Sequence, residues 1–280
     1  MLTCAYPPRK PTYTRAVALP SSNFSNLPEP AKTFHIALLA RAAAIFRVEE
    51  LAVYVHESYP CDAIKDVVEA LETPQYLRRK IIPKKPSLKY IGLVPPLAIP
   101  SHQLRNDDLK YREGVILAKK EGRVLVDIGL DKPVLAVGEG KIGSRVTVKR
   151  VGDAWFLASS SEVEVYWGFK VICFQGMQPL VEHYKRRNFM IIATSRRGRT
   201  VDLAFLKALT SEVEEREAKG VLLLFGSLKK GVYEIGKEEN VNVDELVDFV
   251  LNTIPCQGTR TVRTEEAVLA TLSLLNLVLD

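Results

Sequence analysis

Two glycine-containing loops near the end of the sequence carry the residue types best suited to holding a ligand. The first, Phe225–Gly231 (FGSLKKG), follows the apolar run Val221–Phe225, and the second, Ile254–Arg263 (IPCQGTRTVR), precedes the final helix. In open α/β sheets, ligands bind beyond the carboxyl ends of the strands. We therefore expect both loops to border one crevice, where backbone N–H and C=O groups would read an adenine edge. Ordinary surface loops are the alternative interpretation.

The helix after the second loop begins with acidic residues. Thr264 is the expected N-cap, and Glu265 and Glu266 then occupy the positively polarised first turn. Because N3 would be Ala267, the sequence predicts no complete capping box. Acids in this turn disfavour a phosphate ligand and tolerate a cation such as a sulfonium. A well-charged but otherwise ordinary helix start is the alternative.

Two nucleotide-binding motifs are present only in part. Gly138, Gly140 and Gly143 match GxGxxG, but the following segment Ser144–Arg150 alternates like a strand, whereas the dinucleotide motif requires a helix there. These glycines are predicted to form turns between strands. The segment that begins at Gly226 resembles a P-loop but lacks the Lys-Ser/Thr pair that contacts phosphate and magnesium. No GxSxG nucleophile motif is evident either.

Cysteine and histidine spacing argues against a metal site. None of Cys4, Cys61, Cys173 and Cys256 forms a CxxC pair, and the histidines form no HExxH. Four cysteines in 280 residues do not indicate a disulfide scaffold, so a reduced, intracellular compartment is expected. No signal peptide or membrane-spanning segment is expected. The sequence thus predicts a cytoplasmic protein without metal or membrane.

The formal net charge of +6 is distributed unevenly. Residues 78–112 contain nine basic and two acidic residues, and residues 182–199 contain six basic residues and one acidic residue. Residues 200–280 contain eight basic and fourteen acidic residues. Clustered positive charge attracts a polyanion even when the total charge is small. Solvated surface lysine is the alternative.

Hydrophobic periodicity predicts an α/β domain interrupted by a small antiparallel β-barrel. Continuous apolar strands separated by helices indicate a parallel sheet, and short strands with glycine turns indicate the barrel. The α/β domain is assigned to residues 1–86 and 167–280, and the barrel to residues 87–166. Thr33 is expected to cap the first helix and Gly220 to end the helix 202–219. The expected strands are 15–19, 48–55, 114–119, 123–128, 132–137, 145–150, 154–158, 162–166, 169–173, 189–193 and 221–225, and the other helices are 61–71, 75–82, one starting at 179, 244–251 and 265–279.

Several segments together resemble a known family. Ile254–Ala267, Leu224–Gly231 and Ala193–Gly198 (ATSRRG) are similar to the SPOUT class of knotted RNA methyltransferases, in particular to the archaeal and eukaryotic group with an inserted OB-like barrel. Ala40–Tyr54 and Leu93–His102 resemble other signatures of that group. Leu228 departs from the pattern, in which many relatives have proline. The resemblance covers roughly residues 13–280 and implies a C-terminal trefoil knot, bound S-adenosylmethionine, an RNA substrate (rRNA or tRNA) and a homodimer.

The resemblance also assigns roles to individual residues. Arg196, with Arg197 close to it, would be the catalytic residue that orients the target nucleotide; generic contact with the RNA backbone is the alternative. Glu265 would help close the cofactor pocket. The residues expected to bind the cofactor are Leu224, Phe225, Gly226, Ser227, Asn252, Thr253, Ile254, Pro255, Gln257, Gly258, Thr259, Thr261, Val262, Glu266 and Ala267.

Basic residues of the insertion, of its flanks and of the segment around position 190 would hold the RNA. Tyr90, Tyr111 and Trp155 are candidate stacking platforms for bases, although for Trp155 a place in the barrel core is favoured. A non-catalytic RNA-binding or ribosome-associated protein is the main alternative function, and a small-molecule α/β enzyme is a weaker one. The expected RNA-binding residues are Arg78, Arg79, Lys80, Lys84, Lys85, Lys89, Arg105, Arg112, Lys185, Arg186, Arg187 and Arg199.

Overall fold

A computed structural model describes residues 6–107 and 110–279. Cys4 and Asp108, which entered the cysteine and charge arguments, lie outside these residues. The chain forms two compact units. One contains the parallel sheet and comprises residues 11–69, 90–95 and 169–280; the other contains the barrel and comprises residues 1–10, 70–89 and 96–168. The barrel unit therefore includes residues 70–86, which the proposed domain boundary assigns to the α/β domain.

The strands and helices follow the expected alternation. The strands are β1 (Thr14–Pro20), β2 (Glu50–Tyr54), β3 (Tyr111–Lys120), β4 (Arg123–Asp127), β5 (Val134–Val137), β6 (Arg145–Val151), β7 (Ala154–Ala158), β8 (Lys170–Phe174), β9 (Phe189–Thr200), β10 (Gly220–Leu224) and β11 (Phe249–Asn252). The helices are α1 (Ala31–Ile45), α2 (Asp62–Glu72), α3 (Gln75–Ile81), α4 (Met177–Lys185), α5 (Leu203–Glu215), α6 (Val232–Glu238), α7 (Val243–Leu246) and α8 (Thr264–Leu275). Two short 3₁₀ turns lie at Pro86–Leu88 and Ile91–Leu93.

The first unit is built on a parallel sheet with the strand order β11-β9-β10-β1-β2-β8. Its central strands contain continuous buried apolar runs; β10, for example, reads GVLLL, is buried along its whole length and lies between β9 and β1. A strand that helices cover on both faces has no solvated side, which is why these strands lack polar alternation. The α/β prediction for this part of the chain is confirmed.

The second unit contains a closed five-stranded barrel with the order β3-β4-β5-β7-β6. Its core consists of inward-facing side chains such as Val124, Val126 and Val148, and Trp155 packs against them. Gly138 and Gly143 have positive φ angles in the connection between β5 and β6. The predictions of a small barrel and of glycine turns in the GxGxxG segment are confirmed, and Trp155 packs against the core as expected. The barrel is mixed and not purely antiparallel, because β5 and β7 pair in parallel.

A buried ion network links the barrel to α2. Arg145 on β6 pairs with Glu72 and, at 2.5 Å, with Glu113 on β3. Glu113 also accepts hydrogen bonds from Thr147 Oγ1 at 2.5 Å and Trp167 Nε1 at 2.6 Å. Burial acts to lower the pKa of Arg145, but the two carboxylates outweigh it and hold that pKa above its usual value. The network therefore holds one arginine cation between two carboxyl groups.

We expect Arg145→Ala to destabilise the barrel strongly, because it leaves two carboxylates buried without their cation. Breaking a buried ion pair costs about 3–5 kcal/mol. Thermal unfolding followed by circular dichroism checks the prediction. Lys149→Ala is the matched control, since Lys149 lies on the same strand in a partly exposed pair with Glu162 at 3.7 Å and should change stability by about 1 kcal/mol or less. Equal melting temperatures for the two variants would contradict a stabilising role for the network.

The first unit contains a disulfide that the sequence argument did not anticipate. Cys61 and Cys173 are bonded across a sequence separation of 112 residues, and their Cα atoms lie 6.3 Å apart. The spacing of cysteines along the sequence indicates only pairs that are close in sequence, whereas the fold brings distant cysteines together. Cys256 is free and exposed. The inference of fully reduced cysteines is thus wrong for this pair.

Several local predictions were wrong at element ends. The α1 helix begins at Ala31, so Thr33 lies inside it, and Thr33 Oγ1 donates to Glu29 at 2.7 Å. Gly220 is the first residue of β10 and does not end α5, which stops at Glu215. Residues 244–251 form the end of a short helix and most of β11. Residues 162–166 form no strand and make only an isolated bridge at Val165.

Candidate functional site

A cavity of about 640 Å³ opens at the carboxyl ends of β9, β10 and β11. Both glycine-containing loops border it, as does the start of α8. The cavity is lined by Thr194, Ser195, Arg196, Arg197, Phe225, Gly226, Ser227, Leu228, Lys229, Gly231, Glu234, Leu251, Asn252, Thr253, Ile254, Gln257, Thr261, Val262, Thr264 and Ala267. The loops therefore share one crevice, as the strand-end argument predicts.

The loop after β10 is held by bonds at both of its ends. Phe225 donates its N–H to the carbonyl of Ala18 on β1, and its own carbonyl accepts from Tyr54 Oη at 2.9 Å. Burial raises the pKa of Tyr54 well above its usual value, so the hydroxyl keeps its proton and remains a donor. Ser227 then closes a turn through its N–H to the carbonyl of Lys230 at 2.8 Å.

Gly226 is the point of closest approach within this loop. A Cβ atom there would lie 2.7 Å from the carbonyl oxygen of Lys230 and 2.7 Å from the Cα of Gly231. Both obstacles are backbone atoms, which cannot rotate away as a side chain does. Only glycine fits this turn without displacing the loop at the cavity wall.

The second loop is fastened to β9 by Asn252. Its Oδ1 accepts from the N–H of Ile254 at 3.2 Å, and its Nδ2 donates to the carbonyl of Arg196 at 3.2 Å. The hydroxyl groups of Thr253 and of Thr271 in α8 are hydrogen-bonded at 2.8 Å. One side chain thus couples the loop to the strand segment that carries the arginines.

A break in the β9–β11 ladder presents the arginine segment to the cavity. Val250 pairs with Ala193, but the next residue, Leu251, pairs with Arg199. The intervening residues 194–198 therefore leave the ladder, as in a β-bulge, a feature that often re-aims side chains next to active sites. A Cβ on Gly198 would lie 2.7 Å from the backbone of Val250, so the bulge packs tightly against β11.

Arg196 and Arg197 both line the cavity and are exposed, but their contacts differ. Arg196 Nη1 donates to the carbonyl of Arg260 at 3.2 Å. Arg197 forms an ion pair with Glu234 at 2.5 Å, and its guanidinium lies 5.0 Å from the centre of the Tyr233 ring. Because the charge of Arg197 is already paired, Arg196 keeps more of its donor capacity for a ligand.

Ten of the fifteen residues expected to bind the cofactor line the cavity. The other five, Leu224, Pro255, Gly258, Thr259 and Glu266, do not. Sequence reasoning missed wall residues that depend on unpredicted elements: Leu251 lies on β11, and Glu234 lies on α6. Apart from the expected catalytic residues Arg196 and Arg197, the remaining wall residues are Thr194, Ser195, Leu228, Lys229, Gly231 and Thr264.

The start of α8 differs from its prediction by one residue. Its N-cap is Arg263, whose N–H donates to the carboxylate of Glu266 at 2.8 Å, so N3 is Glu266 and not Ala267. Thr264 lies inside the helix, where its hydroxyl donates to Asn23 Oδ1 at 2.9 Å. Glu265 is buried and contacts His35 Nδ1 at 2.5 Å. The prediction of Thr264 as the N-cap is therefore wrong. The prediction that no N3 glutamate bonds back to the N-cap is also wrong.

Three of the expected RNA-binding arginines have structural partners. Arg112 is buried and donates to the carbonyls of Ile128 and Leu104, so we remove it from the proposed RNA contacts. Arg78 donates to the carbonyls of Thr73 and Leu71. Arg187 forms a bidentate pair with Glu50, with both bonds at 2.7 Å.

The other expected RNA-binding residues are exposed. Two of them make ion pairs, Lys80 with Asp127 and Arg105 with Asp131, and the Arg199 guanidinium lies 4.5 Å from the ring centre of Phe205. Among the stacking candidates, Tyr111 is buried, so it is unsuited to stacking on a base. The exposed set comprises Arg79, Lys80, Lys84, Lys85, Lys89, Arg105, Lys185, Arg186 and Arg199.

One group of possible metal ligands occurs within residues 6–107 and 110–279. It consists of His56, Glu57 and Glu238. Lys230 Nζ lies 2.6 Å from Glu57 and 2.7 Å from Glu238, and this contact lowers the pKa of both carboxyls. The lysine ammonium thus already occupies the space between the two acids and pairs with both of them. Across the same described residues, no helix has the length and apolar character needed to cross a membrane.

Comparison with known proteins identifies the family. The model of a family described as "Putative RNA methyltransferase" matches residues 14–275. The chain belongs to this family. The match extends through both units and includes every residue that lines the cavity.

Relatives of this RNA methyltransferase family member include enzymes named for their reaction. A 28S rRNA (uridine-N(3))-methyltransferase of Drosophila melanogaster is 32% identical, with 94% of this chain and 61% of the relative covered. The chain is 30% identical to the mouse enzyme of the same name, of which 76% is covered. The chain thus spans about three fifths to three quarters of the length of these relatives.

Among solved structures, the chain is similar to the SpoU methyltransferase AviRb from Streptomyces viridochromogenes, a crystal structure in complex with AdoMet. The sequence identity is 10%, the TM-score is 0.39, and the comparison covers 99% of this chain and 62% of that one.

Proposed function

We propose that the protein is an S-adenosylmethionine-dependent methyltransferase that acts on the RNA of the large ribosomal subunit, at the N3 atom of a uridine. One observation carries the proposal: in a member of an RNA methyltransferase family, both glycine loops and both strand-end arginines line the same cavity. The names of the relatives support the choice of rRNA and of uridine N3.

The cavity fits this cofactor in size and in chemistry. Its volume of about 640 Å³ lies within the range of roughly 300–1,000 Å³ that is common for small-molecule sites. Gly226 allows the loop to turn tightly at the wall, and Phe225, Leu251, Ile254 and Val262 supply apolar surface. The carboxylate of Glu234 at the wall is compatible with a cationic sulfonium.

The protein's contribution to the reaction is to position and to orient. When bound, S-adenosylmethionine would supply a methyl group activated by its sulfonium. The loops around Gly226 and Ile254 would hold it against the strand ends, and Arg196 would orient the target nucleotide by donating to its phosphate or base edge. Holding the nucleophile and the methyl group in line lowers the entropic part of the activation barrier to methyl transfer. This effect can supply a large share of the rate enhancement.

An assay with transcribed RNA tests the proposal. Large-subunit rRNA transcribed in vitro, and hence unmodified, is incubated with the protein and S-adenosylmethionine and then digested to nucleosides. We expect mass spectrometry to detect N3-methyluridine. If calorimetry showed no S-adenosylmethionine binding while the protein retained RNA, the alternative of a non-catalytic RNA-binding protein would replace the proposal.

We further propose that a second copy of the chain covers an apolar face formed by α1 and α8. Both helices are apolar around most of their circumference, which is typical of helices buried on all sides. Their exposed apolar side chains form an unpaired surface that a symmetric partner would bury. These side chains are Phe34, Leu38, Ile45 and Leu269.

Leu38→Glu is therefore expected to convert a dimer into a monomer, because a dimer would bury the introduced carboxylate without a partner. Sedimentation velocity measures the change. Leu203→Glu is the control, since Leu203 is 77% exposed at the start of α5 and belongs to neither helix of this face. A wild-type protein that sediments as a monomer at micromolar concentration would exclude the dimer.

Three further expectations are retained as proposals. The order β11-β9-β10 returns the chain to the far side of β9 after β10, and we propose that this return forms the trefoil knot implied by the resemblance. We also propose that the chain divides into an α/β domain and a barrel insertion at residues 87–166. We propose a cytoplasmic location for the protein.

A further inference from the structure

A second, smaller recess adjoins the cofactor cavity. Its volume is about 50 Å³, and it shares Ser227, Leu228, Lys229 and Thr264 with the wall of the larger cavity. Its other walls come from the segment after β1, from Glu57 and from the start of α8. Whatever enters this recess therefore lies directly beside the cofactor.

Asn23 contributes to the recess a buried amide nitrogen that has no hydrogen-bond partner among the described residues. The residue is only 7% exposed. Its Oδ1 accepts from Thr264 Oγ1 at 2.9 Å, but its Nδ2 is buried without any acceptor. An unpaired buried donor costs about 1–3 kcal/mol. A ligand oxygen placed in the recess would satisfy this donor.

Both acids of the recess have basic partners: Glu57 pairs with Lys230 at 2.6 Å, and Glu265 contacts His35 at 2.5 Å. Lys229 and Arg263 also line the recess, and apolar wall comes from Phe24, Leu27 and Leu228. A group that combines a flat apolar body with a carbonyl oxygen fits the apolar wall and supplies the acceptor that Asn23 Nδ2 lacks.

We propose that the recess receives the carbonyl edge of the target uracil and that Asn23 Nδ2 donates to its O4. This inference rests on the proposed function. The volume admits the edge of a base and not the whole ring, so the rest of the base lies in the cofactor cavity. Cytosine has an amino group in place of O4 and would set a donor against the Asn23 amide. Asn23 thus selects uridine over cytidine.

Nucleotide binding tests the inference without RNA and without turnover. Calorimetry measures the affinity for uridine 5′-monophosphate and cytidine 5′-monophosphate in the presence of S-adenosylhomocysteine. We expect the wild-type protein to prefer the uridine nucleotide by about tenfold, the usual effect of one hydrogen bond. Equal affinities, or no detectable binding of the uridine nucleotide, would overturn the inference even if the protein methylates rRNA.

Asn23→Asp isolates the unpaired donor. The carboxylate has the shape of the amide and still accepts from Thr264, but it offers no N–H to O4. We expect the uridine preference to disappear or to reverse. Asn26→Asp is the matched control, because Asn26 also lines the recess but is exposed. This variant adds the same negative charge and should keep the preference for the uridine nucleotide.

Two results for the variant would count against the recess as a base site. An unchanged uridine preference in Asn23→Asp would show that the amide does not contact the base. A loss of S-adenosylhomocysteine affinity with the nucleotide preference intact would assign the recess to the cofactor. The proposed function itself would fail in a different experiment, if the wild-type protein did not bind the cofactor or did not form N3-methyluridine.

Discussion

Gly226→Val is expected to lower S-adenosylmethionine affinity by about 100-fold. The new Cβ would lie 2.7 Å from the carbonyl oxygen of Lys230 and from the Cα of Gly231, so the loop must move at the wall of the cavity. Overpacking of this kind costs about 1–3 kcal/mol or more, and each 1.4 kcal/mol is about tenfold in affinity. Isothermal titration calorimetry with S-adenosylmethionine measures the effect.

Gly92→Val controls for the added side-chain volume. Gly92 lies in an exposed 3₁₀ turn of the same unit, and a Cβ there has no neighbour within 4 Å. The control should bind the cofactor like the wild type, and circular dichroism should show that both variants are folded. Unchanged affinity in Gly226→Val would place the cofactor elsewhere.

Arg196→Ala is expected to reduce kcat by about 100-fold while cofactor affinity changes less than about twofold. A positioned acid–base or electrostatic group contributes roughly 10²–10⁴-fold to rate. The side chain donates a hydrogen bond to the carbonyl of Arg260, and it lines the cavity that the nucleotide would approach. Single-turnover methylation of transcribed large-subunit rRNA, with calorimetry of cofactor binding in parallel, separates the two effects.

Arg260→Ala is the matched control for loss of positive charge. It removes an exposed arginine from the same surface but keeps the backbone carbonyl that accepts from Arg196. We expect a change in KM at low salt and little change in kcat, as for a generic backbone contact. If both variants lost only RNA affinity, Arg196 would be such a contact too, and its orienting role would be excluded.

The apolar strands of the sheet could be predicted because each buried run, such as the one in β10, is continuous and bounded by polar segments. The strand β11 could not, since its four residues form a strand only through pairing with β9. The same pairing extends β9 beyond its apolar part and creates the bulge that carries Arg196. Local sequence contains no signal for such a distant partner.

Within the candidate site, the loops whose glycines and polar residues follow strand ends lie at the cavity, as sequence reasoning expects. Sequence reasoning does not anticipate a side chain that already forms hydrogen bonds with its own neighbours. Glu266 binds the backbone N–H at the start of α8, and Arg112 is consumed by carbonyls of the barrel unit. Charge and residue type show what a side chain is able to bind, but not which partner reaches it first.

The disulfide between Cys61 and Cys173 encloses the whole barrel insertion within one covalent loop of the chain. A single proteolytic cut between positions 62 and 172 would therefore separate no fragment from the protein. The nicked chain would run as one band on a non-reducing gel and as two after reduction. The two sequence halves of the parallel sheet would stay tethered while the barrel insertion is opened or trimmed, so any contribution of the insertion to RNA affinity can be measured with the sheet unit still in one covalent piece.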